Sequence, residues 1–312
     1  MNHPAVQNAS SWARRCPPVP GFAKTIFVDR HATASNVSGY PTTDQNKLRY
    51  IEGVGNRVTL ARQLLCTLTP EARCDDTLVV GAGDGCECLW LSRLDGGRVT
   101  GLDRKGDGGA IEQRLLDDFG QLQSMPEAGP EAIELISDDI CACSLADASF
   151  DRVLSWQTFE HIMDPAAALR EIHRVLRPGG VAFIEYNPFF SIDGAHWVGT
   201  IDIPWAHARL ADDEFEDAVT TLHPGRPAYA GRLVRKGINR MSHAQCRDFA
   251  HEAGFEVVEF LPRVRTEDAL VLDDRILSQV LARYPQARPI DLLCRIVRVV
   301  LRKGDKGQSG LL

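Results

Sequence analysis

The chain has 312 residues, 44% of them hydrophobic and 25% charged, and carries a net charge of -7. A globular protein of this length buries roughly three quarters of its unfolded surface and needs no disulfide or metal staple. The acidic balance, with no Lys/Arg tract, argues against nucleic acid as an obligate partner, and no run of about 18 apolar residues offers a membrane span.

Residues 1–46 carry Pro17, Pro18, Pro20, Gly39 and Pro41 and read as an irregular arm. Its first 20 residues lack a basic stretch followed by an apolar one, so no signal peptide is expected there. The nine cysteines are scattered, which fits a reducing, cytoplasmic setting with free thiols. Residues 47–66 read as an interrupted helix with Leu60, Leu64 and Leu65 on its inner face.

Short β-rich runs follow at 77–80, 98–103, 132–137, 152–155 and 181–186. They alternate with helical segments, the pattern of a parallel sheet with helices on both faces. The helix before the fifth strand has Asp164 as N-cap and Pro165 as first residue. Its inner stripe is Leu169, Ile172, Val175 and Leu176, and Pro178-Gly179-Gly180 is expected to end it. Residues 187–239 break the rhythm with Pro204, Pro224 and Pro227 among aromatics and charges, and read as a substrate-side insert. Ser242 and Gln245 have capping-box spacing. They open a helix that buries Cys246, Phe249, Ala250 and Ala253 and stops at Gly254. Strands are expected at 255–260 and 292–301, then a loose tail from 304 to 312.

The run LVVGAGDGCECLWL, 78–91, sets Gly81, Gly83 and Gly85 directly after the first strand. Glycine frees the backbone to adopt positive φ and removes side chains that would block a ligand. The next helix start offers free N–H groups, and such turns are where open α/β sheets bind ligands. The dinucleotide fingerprint is G-x-G-x-x-G with an acid about 20 residues on. Here the third glycine comes one residue early, but Asp103 does end the second strand, where it can accept from two ribose hydroxyls.

Further pieces follow in order: Asp139 after the third strand, Ala148-Ser149-Phe150-Asp151 leading into the fourth, Phe159-Glu160-His161 after it, and 174–180 before the fifth. Together with the glycine turn they resemble the class I S-adenosylmethionine-dependent methyltransferases, in the small-molecule branch that includes quinone-biosynthesis enzymes. The resemblance covers 75–187 and, more weakly, 240–302. It implies a Rossmann-like seven-stranded, mostly parallel sheet of order 3-2-1-4-5-7-6, flanked by helices. The chain would then divide into an N-terminal arm and cap helix (1–70), a methyltransferase domain (71–303) holding the insert (187–240), and a flexible tail (304–312).

The resemblance also implies site roles. Gly81, Ala82, Gly83 and Gly85 would pass under the methionine part of S-adenosylmethionine. Asp103 would hold the ribose hydroxyls, Asp139 would accept from the adenine amino group, and Ile140 would pack on the ring. Ser155 and Trp156 would face the sulfonium or its methyl. The acid that often precedes the glycines is missing, since Thr77 and Leu78 stand there. The cofactor's amino group is therefore left to backbone carbonyls.

The expected reaction is methyl transfer to a small-molecule acceptor, with a hydroxyl favoured and nitrogen or carbon as alternatives. A catalytically silent cofactor-binding subunit and a nicotinamide oxidoreductase are the other readings. A hydroxyl must lose its proton, and histidine is the usual base. His207 and His196, beside Trp205 and Trp197, and His161 of the motif are the candidates. Cys86-x-Cys88 and Cys141-x-Cys143 lack the usual C-x-x-C metal spacing, and no metal is expected. NPFF, 187–190, resembles a motif of DNA-adenine methyltransferases but follows the wrong strand. DDEFED, 212–217, reads as a solvated acidic helix face, with a cation or basic partner as the alternative.

Overall fold

The computed structural model describes residues 11–23, 44–104, 111, 113–120, 132–194, 200–224 and 236–304. In chain order the elements are α1 (Ser11–Arg15), α2 (Asp44–Leu68), β1 (Asp76–Val80), α3 (Cys86–Asp95), β2 (Arg98–Asp103), α4 (Gln113–Gly120), β3 (Ile133–Ser137), β4 (Phe150–Trp156) and α5 (Pro165–Val175). Then come β5 (Leu176–Tyr186), α6 (Ala206–Arg209), α7 (Asp212–Leu222), α8 (His243–Glu252), β6 (Phe255–Val264), α9 (Thr266–Ala269), α10 (Asp274–Arg283), α11 (Pro289–Leu293) and β7 (Cys294–Lys303).

The sheet has seven strands in the order β3-β2-β1-β4-β5-β7-β6. The first five run parallel, and β7 lies antiparallel between β5 and β6. Val80 pairs with Leu102 and Ser155, Asp103 with Ser137, and Trp156 with Glu185. The carboxyl ends of β1 to β5 therefore finish along one edge. Every residue of β4 is buried, as a strand covered on both faces requires. The charge this buries is answered locally, because Arg152 pairs with Asp95 and donates to Thr77 Oγ1.

The α5 cap holds as the sequence predicts. Asp164 accepts from the Ala167 N–H at 2.9 Å, Pro165 stands in the first turn, and Leu169, Ile172, Val175 and Leu176 are buried. The chain does not stop at 178–180, however. It enters β5 at Leu176, and the register against β4 shifts from Phe150↔Leu176 to Arg152↔Val181, so the Pro-Gly-Gly run is a bulge within the strand. Likewise β7 runs 294–303, and Leu292 belongs to α11.

Two N-terminal expectations are corrected. Helix α2 is continuous over 25 residues. Gly55 does not break it, because it forms a notch: a Cβ there would lie 2.4 Å from the Trp90 ring, whose Nε1 donates to the Ile51 carbonyl. The inner face is Ile51, Val54, Val58, Ala61 and Leu65, with Leu60 and Leu64 only half-buried.

The arm also holds structure. Trp12, Cys16 and Phe22 join Trp205, Phe215, Leu222 and Ile276 in one apolar cluster. Trp12 Nε1 donates to Asp217 Oδ2 at 2.6 Å, Arg15 pairs with Glu214, and the Ala23 N–H donates to Asp202 Oδ1. The acidic run 212–217 thus holds the chain's own first helix and is not merely a solvated face.

Trp12 is 2% exposed. Replacing it with alanine should remove about 3 kcal/mol of stability, read as a lowered urea midpoint with unchanged far-UV circular dichroism. A loss below about 1 kcal/mol, the average for any point mutation, would mean the arm does not dock in solution.

Candidate cofactor and acceptor site

The turn after β1 needs its glycines for three different reasons. Gly81, Gly83 and Gly85 have φ of +78°, +52° and +83°. A Cβ on Gly81 would meet Thr158 Oγ1 at 1.9 Å, and one on Gly85 would meet Ile111 at 2.9 Å. Around a Cβ built on Gly83 no atom of the described residues lies within 4 Å, which leaves space for a ligand among them.

The turn is tied to β2. The Gly81 N–H donates to the Leu102 carbonyl at 2.7 Å and the Gly83 N–H to Asp103 Oδ2 at 3.1 Å. Ala82 tucks its methyl into the core beneath. Helix α2 covers the turn from the other side, where the Tyr50 hydroxyl donates to Asp84 Oδ2 at 2.9 Å and Arg57 pairs with Glu87 at 3.1 Å.

Asp103 and the loop after β3 meet through the Asp138 N–H, which donates to the Asp103 carbonyl. Asp139 Oδ1 accepts from the Cys141 N–H, its Oδ2 lies 3.6 Å from Arg104 Nε, and Ile140 is buried beside it. The structure thus gathers the expected glycines, Asp103, Asp139 and Ile140 at one edge. An open glycine cradle with carboxylates at two strand ends fits a nucleoside carrying a cationic amino-acid tail.

Ser155 and Trp156 end β4 with buried side chains. Ser155 is fully buried and donates to the Val80 carbonyl at 3.0 Å. Trp156 packs on Phe183 at 5.8 Å between ring centroids.

The turn after β4 faces the acceptor side. Gln157 takes a φ of +49°, sparse for a non-glycine residue, and its N–H donates to the Glu185 carbonyl. Thr158 Oγ1 donates to the Trp156 carbonyl. A 3-10 turn, Phe159–His161, follows.

Within that turn Glu160 is 1% exposed. Its Oε1 accepts from Asn187 Nδ2 at 3.0 Å, while Oε2 has no hydrogen-bond partner among the described residues. Burial, with the Glu185 charge adding, pushes its carboxyl up to about 7. Asn239 clamps the turn, donating from Nδ2 to the carbonyls of Phe159 and Ile162.

His161 Nδ1 lies 2.8 Å from the Gly237 carbonyl, so Nδ1 carries the proton and Nε2 is the basic nitrogen. His207 is buried, edge-on to Phe189, and its Nε2 has no partner among the described residues. Burial pulls it down to about 4, against the opposing Phe189 backbone and Asp193. Trp205 belongs to the core and donates to the Phe190 and Leu292 carbonyls, so it is no substrate wall. His196 and Trp197 lie outside the described residues.

The sequence reading missed Glu160 and Asn187. Glu160 stood in the Glu-His pair that was read for its histidine alone, and Asn187 in the NPFF run that was set aside. Cys86 and Cys88 are buried in the packing of α3. A cleft of about 430 Å³ between Asp76, Arg98, Glu134 and Ser149 lies at the opposite end of the strands and brings together none of these groups.

Residues 78–184 match the family model described as a methyltransferase domain. A 37.1 kDa protein encoded in a transposon of Streptomyces fradiae is 32% identical, over 60% of this chain and 45% of its own. An arsenite methyltransferase of Aquipseudomonas alcaligenes is 32% identical, over 51% and 42%. A ubiquinone biosynthesis O-methyltransferase of Pseudomonas syringae is 30% identical, over 39% and 50%. The matches thus span half or less of these relatives' own lengths. Residues 78–184 thus resemble a methyltransferase domain, carried on a sheet of order β3-β2-β1-β4-β5-β7-β6.

Proposed function

We propose that this chain methylates a hydroxyl of a small molecule, with Glu160 as proton acceptor. The observation that carries the reading is the Glu160 carboxyl: buried, held by Asn187 through one oxygen, with the other unpartnered. An unsatisfied buried polar atom calls for a partner, and an acceptor hydroxyl is one.

S-adenosylmethionine supplies an electrophilic methyl on a sulfonium sulfur. Asp103 holds the ribose, and Asp139 with Ile140 the adenine. The acceptor hydroxyl gives up its proton as it becomes an ether oxygen, and Glu160 Oε2 receives it. A base titrating near neutral pH suits this task, worth about 10²- to 10⁴-fold in rate. His207, held down to about 4, is too weak a base to compete. Together with Thr200, whose buried Oγ1 also lacks a partner among the described residues, it orients the acceptor by hydrogen bonds. His161 and His196 remain candidates to relay the proton outward.

The ubiquinone-biosynthesis relative supports a hydroxyl acceptor by its name. The relative named for arsenite is less apt here, because an arsenic lone pair needs no base. The insert 187–240 and the docked arm would form the acceptor side. All nine cysteines are free thiols, which supports a reducing compartment.

Calorimetric titration tests the cofactor reading. Wild-type protein should bind S-adenosylmethionine in the micromolar range, of order -8 kcal/mol, and should not bind NADH. Asp103→Ala should lose that binding. Gly83→Ala should fold with about 1–2 kcal/mol of backbone strain yet also lose it, because the Cβ enters the open cradle. Failure of the wild type to bind would sink the reading.

Glu160 tests separately. Its folded carboxyl sits at about 7 against an ordinary 4.5, so its ionised form is disfavoured by ~3 kcal/mol. A raised acid contributes most to stability at low pH and loses that contribution as pH rises from 4.5 to 7. Glu160→Gln should therefore gain stability over wild type progressively across that range, then level off. With a hydroxyl acceptor, turnover of the wild type should rise through about pH 7, and the variant should lose that limb. An equal melting temperature at pH 5 and pH 8 would refute the buried, unpartnered carboxyl.

A further inference from the structure

We propose that Asp84, oriented by Tyr50, holds the α-ammonium of the cofactor's methionyl group, standing in for the acid absent from the end of β1 next to the glycines. The proposal rests on the cofactor assignment above. After Asp76, β1 offers no acid, since Thr77, Leu78, Val79 and Val80 carry no carboxylate. The carboxylate nearest the glycines in sequence is the one inside the turn, between Gly83, where space is open, and Gly85.

Asp84 is anchored without being saturated. Its Oδ1 accepts from the Cys86 N–H at 3.0 Å and its Oδ2 from the Tyr50 hydroxyl at 2.9 Å. A carboxylate has about four acceptor positions, so each oxygen keeps room for another donor. Tyr50 stays a donor, because burial and the charges of Glu87 and Asp84 push its phenol up.

The local charge is one cation short. Asp84 and Glu87 face a single guanidinium, Arg57, whose Nη2 is already taken by Glu87. Asp84 has no ion-pair partner of its own among the described residues, and burial pushes the carboxyls of both acids up. Beside them Arg57 Nε is a buried donor with no hydrogen-bond partner among the described residues. An acceptor short of a cation and a donor short of an acceptor are what a zwitterionic amino-acid group completes. As a helix cap alone, Asp84 would need neither the cover of Tyr50 nor the missing positive charge.

The test compares two probes on wild-type protein and Asp84→Asn. S-adenosylmethionine carries the amino-acid tail, and 5′-methylthioadenosine lacks it. Asparagine keeps a side-chain oxygen for the Cys86 N–H but removes the charge. A charged hydrogen bond is worth about 1.5–3 kcal/mol, so the variant should bind S-adenosylmethionine roughly 10- to 150-fold more weakly. Its affinity for 5′-methylthioadenosine should stay within about twofold.

Equal losses for both probes would mean that Asp84 only shapes the turn, and no loss for either that it is only a cap. Both results overturn the proposal. Wild-type protein that binds neither probe would overturn the cofactor reading itself, and the proposal with it. Should Asp84→Asn melt early, the wild type gives the same answer. In mildly acidic buffer, S-adenosylmethionine should displace a proton and 5′-methylthioadenosine should not, because a bound ammonium ionises the carboxyl among Glu87, Arg57, Tyr50 and Cys86. No difference between the probes would again overturn it.

Discussion

The space beside Gly81 where a Cβ would stand is filled by Thr158, and that shared space governs the rest of the site. Strands β1 and β4 pair in register up to Val80 and Ser155, so their two turns leave the sheet side by side. The turn after β1 carries the three glycines, and the one after β4 carries Glu160. With glycine at 81 the two backbones meet. With any larger residue they must separate. Thr158 is itself fixed by its bond to the Trp156 carbonyl, and Gln157 is held at positive φ by its bond to β5. Strain of that kind persists only where surrounding structure over-determines it. The two turns therefore hold one spacing, as the proposed in-line transfer would need.

The parts legible in the sequence were those set by local backbone needs. Buried parallel strands are short apolar runs between turns, so the strands were found to within a few residues. Gly81, Gly83 and Gly85 were legible because positive φ and close approach leave no other residue. The strand order came from the resemblance, not from periodicity. What escaped depends on partners distant in sequence. Gly55 looks like a helix breaker until Trp90 is seen lying in the notch it leaves. The arm looks irregular until Trp12 meets Asp217. Glu160 was passed over because its character lies in what surrounds it, namely burial, the Asn187 amide and no ion-pair partner among the described residues.

Such a carboxyl is destabilising, and the fold offsets it nearby. Its amide partner Asn187 opens the insert, and Asn239 closes it against the same turn. Between them lie Phe189, Phe190 and Trp205, which pack with Trp12 and Phe22 of the arm. Glu185, the charge that raises Glu160 further, is in turn paired with Arg298 of β7 at 2.7 Å. The apolar cluster around the insert thus gives stability where the polar site loses it, a common division between scaffold and function.

The two sides of the site differ in how they treat charge. Around the glycine turn lie Asp84, Glu87, Asp103 and Asp139, against Arg57 and the exposed Arg104. This surplus of carboxylate favours a cationic ligand, as the proposed cofactor is. The acceptor side works by the opposite means. Glu160 has no ion-pair partner among the described residues, which in the proposed role keeps it basic enough to take a proton.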